Sequence, residues 1–202
     1  MIWLVGNLGM LGSEVESLLN KNGEKFVSTD RECDITNRDE LHARIDAIKP
    51  ECIVNCSAYT AVDKAEDERD LAFAVNATGV ENIGIVADTY DIPVLHVSTD
   101  YVFDGNANLP YEVDSRVAPT CVYGESKAEG ERLLMLVNPR STVVRTAWLH
   151  GPNGPNFVAT MIRLMSERDE ISVVDDQIGS PTFAGDLATI LLTVARRIIS
   201  NT

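Results

Sequence analysis

Tyr123 and Lys127 stand four residues apart in a stretch with helical periodicity, so their side chains project from one face of the predicted helix. A lysine ammonium near a phenol favours the ionised tyrosine, and we expect Lys127 to lower the pKa of Tyr123. A phenol tuned in this way can donate and accept protons near neutral pH. The same spacing also arises by chance on protein surfaces, so the pair needs a second signal.

The segment Val97–Phe103 supplies that signal, because Ser98 and Thr99 follow a short apolar run at the end of a predicted strand. A hydroxyl at this point can hydrogen-bond a substrate carbonyl that lies beside the tyrosine. We therefore predict a catalytic group that combines a hydroxyl of this segment with Tyr123 and Lys127; which hydroxyl takes part, Ser98 or Thr99, is open at this point.

A glycine-rich loop follows the first apolar run and precedes a helical pattern. In this GxxGxxG sequence Gly6 permits a tight turn, Gly9 lets the backbone approach a pyrophosphate, and Gly12 allows close helix–strand packing. Met10 and Leu11 open the helix, whose N-terminus favours a phosphate anion. A glycine-rich turn without a ligand is the alternative, but the strand–loop–helix context favours a dinucleotide site.

Asp30 lies just past the second apolar run, where a carboxylate can bind the hydroxyls of an adenosine ribose. Arg31 could instead meet a 2′-phosphate, so we expect NADH to bind and NADPH to be tolerated. A solvated turn formed by Asp30, Arg31 and Glu32 is the alternative. Asp34 and Ile35 are predicted to lie over the adenine, with Asp34 accepting from its amino group.

The segment after the third apolar run is predicted to reach the same edge of the sheet. Small residues there would let the backbone run along the ribose and phosphates of a dinucleotide. The residues predicted to line the cofactor in this segment are Ser57, Ala58, Tyr59 and Thr60.

The remaining polar residues receive structural interpretations. Asn76 lies in a helical stretch, where asparagine has a poor propensity, so a polar structural role is predicted. Asp63, Lys64 and Glu66 resemble a solvated first helical turn. No chemistry is predicted for the three histidines, which lack triad or metal-ligand spacing: His42, His96 and His150.

Short apolar runs alternate with amphipathic stretches along the whole chain, which predicts alternating strands and helices. The predicted strands are Ile2–Val5, Phe26–Ser28, Cys52–Asn55, Val94–Val97 and Thr142–Arg145. The predicted helices start near Met10, run through Leu41–Ile48, and cover Leu71–Tyr90, Val122–Val137, Phe157–Glu167 and Ala184–Ile199. Buried strands separated by helices indicate a doubly wound α/β parallel sheet, a Rossmann fold, with its ligand at the carboxyl ends of the strands.

Composition narrows the functional class. The 202 residues are 45% hydrophobic and carry a net charge of −14, which disfavours nucleic acid and anionic membranes as partners. The N-terminal apolar run ends at Gly6, too early for a signal peptide or a membrane span, so a cytoplasmic location is expected. Reduced thiols and no metal site are predicted, because the cysteines lack suitable spacing: Cys33, Cys52, Cys56 and Cys121.

The glycine loop, Asp30, the Ser98–Asp100 segment and the Tyr123–Lys127 pair occur in the order and spacing of extended short-chain dehydrogenases/reductases. Within that group the chain resembles the dTDP-4-dehydrorhamnose reductases, and the resemblance covers essentially the whole chain. It is carried by residues 55–66, 98–105, 122–127, 145–148 and 176–182.

The resemblance implies reduction of the C4 ketone of dTDP-4-dehydro-L-rhamnose to dTDP-L-rhamnose, with NADPH or NADH as cofactor. Tyr123 and Lys127 would both contact the cofactor. Tyr123 would give its proton to the developing alkoxide, and Lys127 would hold the nicotinamide ribose and tune Tyr123, so that Thr99, Tyr123 and Lys127 form the catalytic set. Thr99 would orient the carbonyl. Asp100 and Trp148 would contact the sugar nucleotide, although a core indole explains Trp148 equally well.

Members of the family usually continue well beyond the position at which this sequence stops. We therefore expect residues 1–202 to form a single NAD(P)-binding Rossmann domain. Residues from about 147 to 202 would contribute to a small, incomplete substrate-binding lobe.

Two other functions stay open at this point. Sugar-nucleotide 4,6-dehydratases share the fold but need an acid and a base after the threonine, and here Asp100 is followed by Tyr101. A non-catalytic NAD(P)-binding regulatory subunit, similar to the β subunit of methionine adenosyltransferase, is the second alternative. A homodimer is compatible with the sequence, which does not decide the oligomeric state.

Overall fold

The structure, a computed structural model, describes residues 1–200 and is built on one five-stranded parallel sheet. Its strands are β1 Ile2–Val5, β2 Phe26–Thr29, β3 Cys52–Asn55, β4 Val94–Thr99 and β5 Thr142–Thr146. They stand in the order β2-β1-β3-β4-β5, so the winding of the chain reverses between β1 and β3. Such a reversal leaves a crevice at the carboxyl ends of the two strands, where doubly wound folds bind ligands. The predicted doubly wound sheet is confirmed.

Within residues 1–200 eight α-helices surround this sheet. They are α1 Met10–Lys21, α2 Arg38–Ile48, α3 Val62–Ala65, α4 Arg69–Phe73, α5 Val80–Thr89, α6 Val122–Val137, α7 Phe157–Glu167 and α8 Ala184–Ser200. A π-helical turn, Ala74–Gly79, joins α4 to α5, and a 3-10 turn, Asp100–Val102, follows β4. The short parallel pair β6 Leu149–His150 and β7 Thr182–Phe183 was not predicted, because two-residue strands show no periodicity.

Alternate residues of the central strands face opposite layers of helices. In β1, Ile2 and Leu4 pack with α1 and α8, whereas Trp3 and Val5 pack with α2, α5 and α6. The indole N–H of Trp3 donates to the hydroxyl of Thr29 at 3.0 Å, which satisfies the only polar atom of a fully buried side chain. Because both faces of the sheet are covered, the strands read as nearly continuous apolar runs.

Helix α8 lies in the range for which a substrate lobe is predicted, yet its inner face belongs to the sheet core. Leu187, Leu191 and Leu192 are at most 4% exposed and share a cluster with Leu4 and Val15. Helix α7, by contrast, has no buried residue among those described. The division of the chain into a Rossmann domain and a lobe from about residue 147 stays a prediction.

Three general features concern the part of the chain that the structure describes. No helix there is both long and apolar enough to cross a membrane, and no cluster of three or more His, Cys, Asp or Glu side chains could hold a metal ion. All four cysteines are free, as predicted. Burial raises the pKa of Cys52 and of Cys56 to about 12, so both are protonated thiols at neutral pH.

Helix α1 approaches the end of β1 so closely that position 12 has no room for a side chain. A Cβ on Gly12 would lie 2.0 Å from the carbonyl oxygen of Gly6 and 2.8 Å from the Cα of Asn7. The predicted close helix–strand packing at Gly12 is therefore confirmed. At Gly9 a Cβ would meet only the oxygen of Gly6, at an ordinary 3.5 Å, so the protein's own packing does not require glycine there.

Serine at these two positions should have different effects on stability. Gly12→Ser would force backbone atoms apart and should lower the free energy of unfolding by about 2 kcal/mol or more. Gly9→Ser would give α1 a favourable N-cap residue and should change that free energy by no more than about 0.5 kcal/mol, in the stabilising direction. Urea unfolding of both variants tests this expectation. Equal destabilisation of the two would show that α1 does not depend on the glycine contact.

Candidate active site

The loops that follow β1 and β3 meet at the reversal point of the sheet. Gly6 has a φ of +85°, and a Cβ on it would lie 2.6 Å from the amide nitrogen of Ser57. Both the left-handed backbone and this close approach require glycine. The predicted dinucleotide segments around Gly6 and Ser57 are thus brought into direct contact.

The N-terminus of α1 has no side-chain cap among the described residues. Gly9 is the N-cap residue, with φ −73° and ψ 166°, and the first turn of the helix contains no acidic residue. The helix dipole and the uncapped amides favour a phosphate at this point. Leu11 buries its side chain in the core and can offer a ligand only its main chain, whereas Met10 lies beside Gly151 and Gly154.

The carboxylate of Asp30 is held beside the glycine loop. Its Oδ2 accepts from the N–H of Leu8 at 3.2 Å, and its Oδ1 accepts from the N–H of Arg31 at 3.0 Å. The main-chain N–H of Asp30 donates to the carboxylate of Glu32 at 3.0 Å. Asp30 therefore stands where an acid can meet a ribose, and the side chain of Arg31 is exposed next to it.

Asp34 and Ile35 are placed differently from one another. One oxygen of the exposed Asp34 carboxylate accepts from the main-chain N–H and the hydroxyl of Thr36, at 2.9 and 2.7 Å. Ile35 is 7% exposed and packs in the core, where its side chain leaves no room for a Cβ on Gly79. Asp34 is accessible to a ligand through its side chain, but Ile35 only through its main chain.

Asn76, in the π-helical turn, fixes the segment that follows β3. Its Oδ1 accepts from the N–H of Tyr59 at 2.8 Å, and its Nδ2 donates to the carbonyl of Tyr59 and to the hydroxyl of Ser126, both at 3.0 Å. The predicted polar structural role of Asn76 is confirmed. In the same segment Ala58 is half-buried and Thr60 is exposed.

Helix α6 is pressed against two other backbones. A Cβ on Gly124 would lie 2.2 Å from the carbonyl oxygen of Tyr101, and one on Gly130 would lie 2.0 Å from that of Asn76. Since these contacts join backbone to backbone, larger residues cannot be accommodated by side-chain movement. They set the position of the helix that carries Tyr123.

Glu66 caps the start of α6. Its carboxylate accepts from the N–H of Val122 at 2.9 Å, and the thiol sulfur of Cys121 accepts from the N–H of Gly124 at 3.4 Å. A carboxylate at a helix N-terminus also interacts favourably with the helix dipole. The interpretation of Glu66 as part of a solvated face missed this contact, because its partner lies 56 residues away.

Tyr123 stands at the carboxyl end of β4 with two other predicted site residues. Burial raises the pKa of its phenol to about 12, and hydrogen bonding with the Thr99 side chain opposes part of that rise. The Thr99 hydroxyl donates to Oδ1 of Asp100 at 3.1 Å and accepts from the N–H of Tyr101 at 3.2 Å. The rings of Tyr101 and Tyr123 meet edge-on, with centroids 5.5 Å apart. The structure thus brings Thr99, Asp100 and Tyr123 together.

The prediction that Lys127 lowers the pKa of Tyr123 is wrong. The ammonium nitrogen Nζ is bonded instead to the carbonyl oxygen of Val97 at 2.7 Å and lies 3.2 Å from Nε2 of His96. Burial dominates the pKa of Tyr123, and the negative charge of Asp100 raises it further. The phenol is therefore protonated at neutral pH, which is the state that a proton donor needs.

Lys127 is only 1% exposed, and burial changes its own acidity. Loss of solvation lowers its pKa from 10.5 to about 8, while the negative charge of Glu131 opposes the change. Glu131 also pairs with Arg145 on β5, with a shortest N–O distance of 2.6 Å. A lysine with this pKa can exchange its proton in the working range of an enzyme.

His96 and Asn55, for which no role was predicted, link Lys127 to the segment after β3. Nδ1 of the fully buried His96 lies 3.0 Å from Nδ2 of Asn55. Oδ1 of Asn55 accepts from the N–H and the hydroxyl of Ser57, at 3.0 and 2.6 Å. The sequence feature that could have predicted this role is the position of His96 inside an apolar strand, since a polar group that is buried there needs hydrogen-bond partners.

Trp148 lies just beyond β5 with a left-handed backbone. Its φ is 47°, its side chain is 44% exposed, and a Cβ on Gly179 would lie 2.6 Å from the indole. The alternative of a core indole is therefore wrong. Bulky residues with positive φ are uncommon and concentrate where orientation matters, so ligand contact stays the prediction for Trp148.

Comparison with known proteins places this geometry in context. The family model of the RmlD substrate binding domain matches residues 1–202. The dTDP-4-dehydrorhamnose reductase of Aggregatibacter actinomycetemcomitans is 46% identical over 198 residues, which are 97% of this chain and 67% of that protein. The corresponding protein of Sinorhizobium fredii is 45% identical over 168 residues, 83% of this chain and 57% of its own length.

A solved structure gives the same comparison in three dimensions. The dTDP-4-dehydrorhamnose reductase of Bacillus anthracis, crystallised in complex with NADP, matches with a TM-score of 0.94 and 39% identity. The match covers 98% of this chain and 70% of that one. The chain therefore spans between 57% and 70% of the length of these three proteins.

Burial of Lys127 should make folding stability depend on pH. Between the folded pKa of about 8 and the ordinary value of 10.5, the unfolded state binds a proton that the folded state lacks, so this contribution to stability rises with pH. Relative to Lys127→Met, which removes the titration, the free energy of unfolding of the parent should rise by about 2 kcal/mol between about pH 7.5 and about pH 10. Urea unfolding of both proteins across this range measures the difference. A difference that stays constant with pH would contradict a depressed lysine pKa.

Proposed function

Because this chain belongs to the RmlD substrate binding domain family of dTDP-4-dehydrorhamnose reductases, we propose that it reduces the C4 ketone of dTDP-4-dehydro-L-rhamnose to dTDP-L-rhamnose with NADPH or NADH. One observation carries the proposal: a protonated phenol at Tyr123 lies beside the Thr99 hydroxyl, one helical turn from the buried Lys127. A protein that only binds a dinucleotide has no need of this arrangement.

The loops at the reversal point fit a dinucleotide. The uncapped N-terminus of α1 suits the pyrophosphate, and the backbone at Gly9 is free of the contacts that force glycine at Gly6 and Gly12. Asp30 would bind the adenosine ribose, and the main chain around Ser57 would line the other side. When bound, the reduced nicotinamide supplies the hydride that C4 receives.

Cofactor choice depends on two neighbouring charges. The Asp30 carboxylate accepts from ribose hydroxyls and repels a 2′-phosphate, whereas the exposed guanidinium of Arg31 attracts one. We therefore propose that both NADH and NADPH are used, with a mild bias from Asp30 toward NADH. The Bacillus anthracis relative was crystallised with NADP, which fits the use of the phosphorylated form in this family.

The proton needed at the C4 oxygen comes from Tyr123. Reduction turns the ketone into an alkoxide, a much stronger base than a phenolate, so a phenol with a pKa of about 12 can protonate it. Thr99 orients the carbonyl once its hydroxyl turns from Asp100 to the substrate oxygen. The phenolate of Tyr123 then regains a proton from solvent, which completes the cycle.

Lys127 and Trp148 complete the proposed site. Lys127 would hold the nicotinamide ribose with the N–H groups that its bond to Val97 leaves over. Trp148 follows β5, the strand next to β4, and offers an exposed indole face on which a sugar nucleotide can pack. Asp100, held by Thr99, would accept from a sugar hydroxyl.

The role of Asp30 can be tested by changing its charge alone. Asp30→Asn keeps an oxygen that can accept from the N–H of Leu8 and removes the repulsion of a 2′-phosphate, so the affinity for NADPH relative to NADH should rise about tenfold. Glu32→Gln removes the same charge two residues away and should change that ratio much less. Isothermal titration with both cofactors gives the two ratios. Equal ratios in Asp30→Asn and the parent would place the carboxylate away from the ribose.

The proton donor can be tested against a neighbouring phenol. Tyr123→Phe should slow single-turnover reduction of the keto-sugar nucleotide about 10²–10⁴-fold while cofactor affinity is retained, because only the general acid is lost. Tyr101→Phe removes the phenol of the ring packed edge-on against Tyr123 and should change the rate no more than a few-fold. Stopped-flow loss of nicotinamide absorbance measures both rates. A parent-like rate in Tyr123→Phe, or a large loss in Tyr101→Phe, would assign the proton to another group.

A further inference from the structure

His96 is a buried titratable group that the proposed reaction does not use. It lies in β4 with no exposed surface, between Asn55 on one side and Lys127 on the other. Each neighbour contacts one ring nitrogen, so the polar capacity of the imidazole is fully engaged. The direction of these two hydrogen bonds decides which nitrogen carries the proton.

The amide of Asn55 has only one workable orientation. The main-chain N–H of Ser57 can only donate, and it lies 3.0 Å from the atom assigned as Oδ1. The hydroxyl of Ser57 donates to the same atom at 2.6 Å. Turning the amide round would set its NH₂ group against a backbone N–H, so the oxygen must face Ser57 and the nitrogen must face His96.

This orientation in turn selects the tautomer of His96. The NH₂ group of Asn55 donates, so Nδ1 of His96, 3.0 Å away, must accept and carries no proton. Burial and the charge of Lys127 hold the pKa of His96 well below its ordinary value, so the ring is neutral. The single proton of a neutral imidazole is then on Nε2.

The Nε2–H group points at the amino nitrogen of Lys127, 3.2 Å away. An ammonium group has no lone pair, so it cannot accept this bond, whereas a neutral amine can accept it and still donate to the carbonyl of Val97. The opposite tautomer would relieve the conflict at Lys127 but place Nδ1–H against the NH₂ group of Asn55. The hydrogen bonds that join Ser57, Asn55, His96 and Lys127 can therefore all form at the same time only when Lys127 is uncharged.

We infer that His96 is a positioning residue for the proposed reduction, whose fixed tautomer holds Lys127 and favours its neutral amine over the ammonium ion. The inference rests on the proposed function only for its consequence. In the proposed reduction Lys127 would hold the nicotinamide ribose, so its charge would act on the ribose hydroxyls that it binds. Through the hydrogen bond between its Nε2 and Nζ of Lys127, the tautomer of His96 sets the pH range in which Lys127 is charged.

Other titratable groups facing Lys127 act in known directions. Glu131 on α6 favours the ammonium ion, Arg145 on β5 pairs with the carboxylate of Glu131, and Cys56 after β3 is an uncharged thiol at neutral pH. His96 on β4 is therefore the facing group whose hydrogen bond opposes protonation of Lys127. Its effect can be separated from theirs by changing His96 alone.

The tautomer can be read directly in the unmodified protein by ¹⁵N NMR of histidine-labelled protein, with His42→Gln and His150→Gln to assign the signals. We expect His96 to remain neutral from about pH 6 to pH 9. Nδ1 should then show the shift of an unprotonated nitrogen and Nε2 that of a protonated one. A proton on Nδ1, or titration of the ring in this range, would overturn the inference. The measurement needs no substrate, so it stands apart from the success or failure of the proposed reduction.

The effect on Lys127 is tested with His96→Gln, whose amide oxygen can accept from an ammonium ion. The Lys127 signal of ¹³C-lysine-labelled protein, assigned by its absence in Lys127→Met, should titrate near pH 8 in the parent and about one pH unit higher in His96→Gln. His42→Gln makes the same substitution on α2, away from Lys127, and should leave the midpoint unchanged. A midpoint that is equal in His96→Gln and the parent would overturn the inference. If His96→Gln does not fold, the tautomer in the parent protein decides alone.

Discussion

The packing of helix α6 against the carboxyl end of β4 is the contact on which the rest of the site depends. At Gly124 and at Gly130 the helix backbone lies so close to a neighbouring backbone that a side chain at either position would not fit. Tyr123 and Lys127 lie on the same stretch of helix, so a change at either glycine would move both groups relative to Thr99. Two further hydrogen bonds support this arrangement. Glu66 accepts from the N–H of Val122 at the start of α6, and the amide of Asn76 accepts from the N–H of Tyr59.

The depth of this packing also decides the charge state of the site. Burial disfavours a charged phenolate and a charged ammonium alike, so it raises the pKa of Tyr123 to about 12 and lowers that of Lys127 to about 8. The ordinary pKa values of tyrosine and lysine are nearly equal, and burial shifts the two pKa values in opposite directions. At neutral pH the phenol of Tyr123 therefore keeps its proton, as the proposed reduction requires, and the pKa of Lys127 lies only about one unit above that pH.

The dinucleotide end is held by a different constraint, the reversal of winding between β1 and β3. It brings the glycine loop against Ser57 and places Asp30 on the amide of Leu8, so three segments distant in sequence form one edge. A chain with a net charge of −14 can still attract a pyrophosphate there, because the uncapped start of α1 supplies a local positive field. Asn55 and His96 connect this edge to Lys127, which makes the two ends of the site a single hydrogen-bonded structure.

The amino-acid sequence by itself determined the strands, the longer helices, the glycine loop and the Tyr123–Lys127 pair. These features depend on periodicity and on spacings within a few residues, which are visible in one dimension. Only the tertiary structure decided that Lys127 turns toward Val97 and His96, that Glu66 caps α6, and that Trp148 is exposed with a positive φ. The partners in the first two contacts come from distant strands and helices. The acidity of a side chain depends on how deeply packing removes it from water, so the expected effect of Lys127 on Tyr123 failed where the local helical spacing was correct.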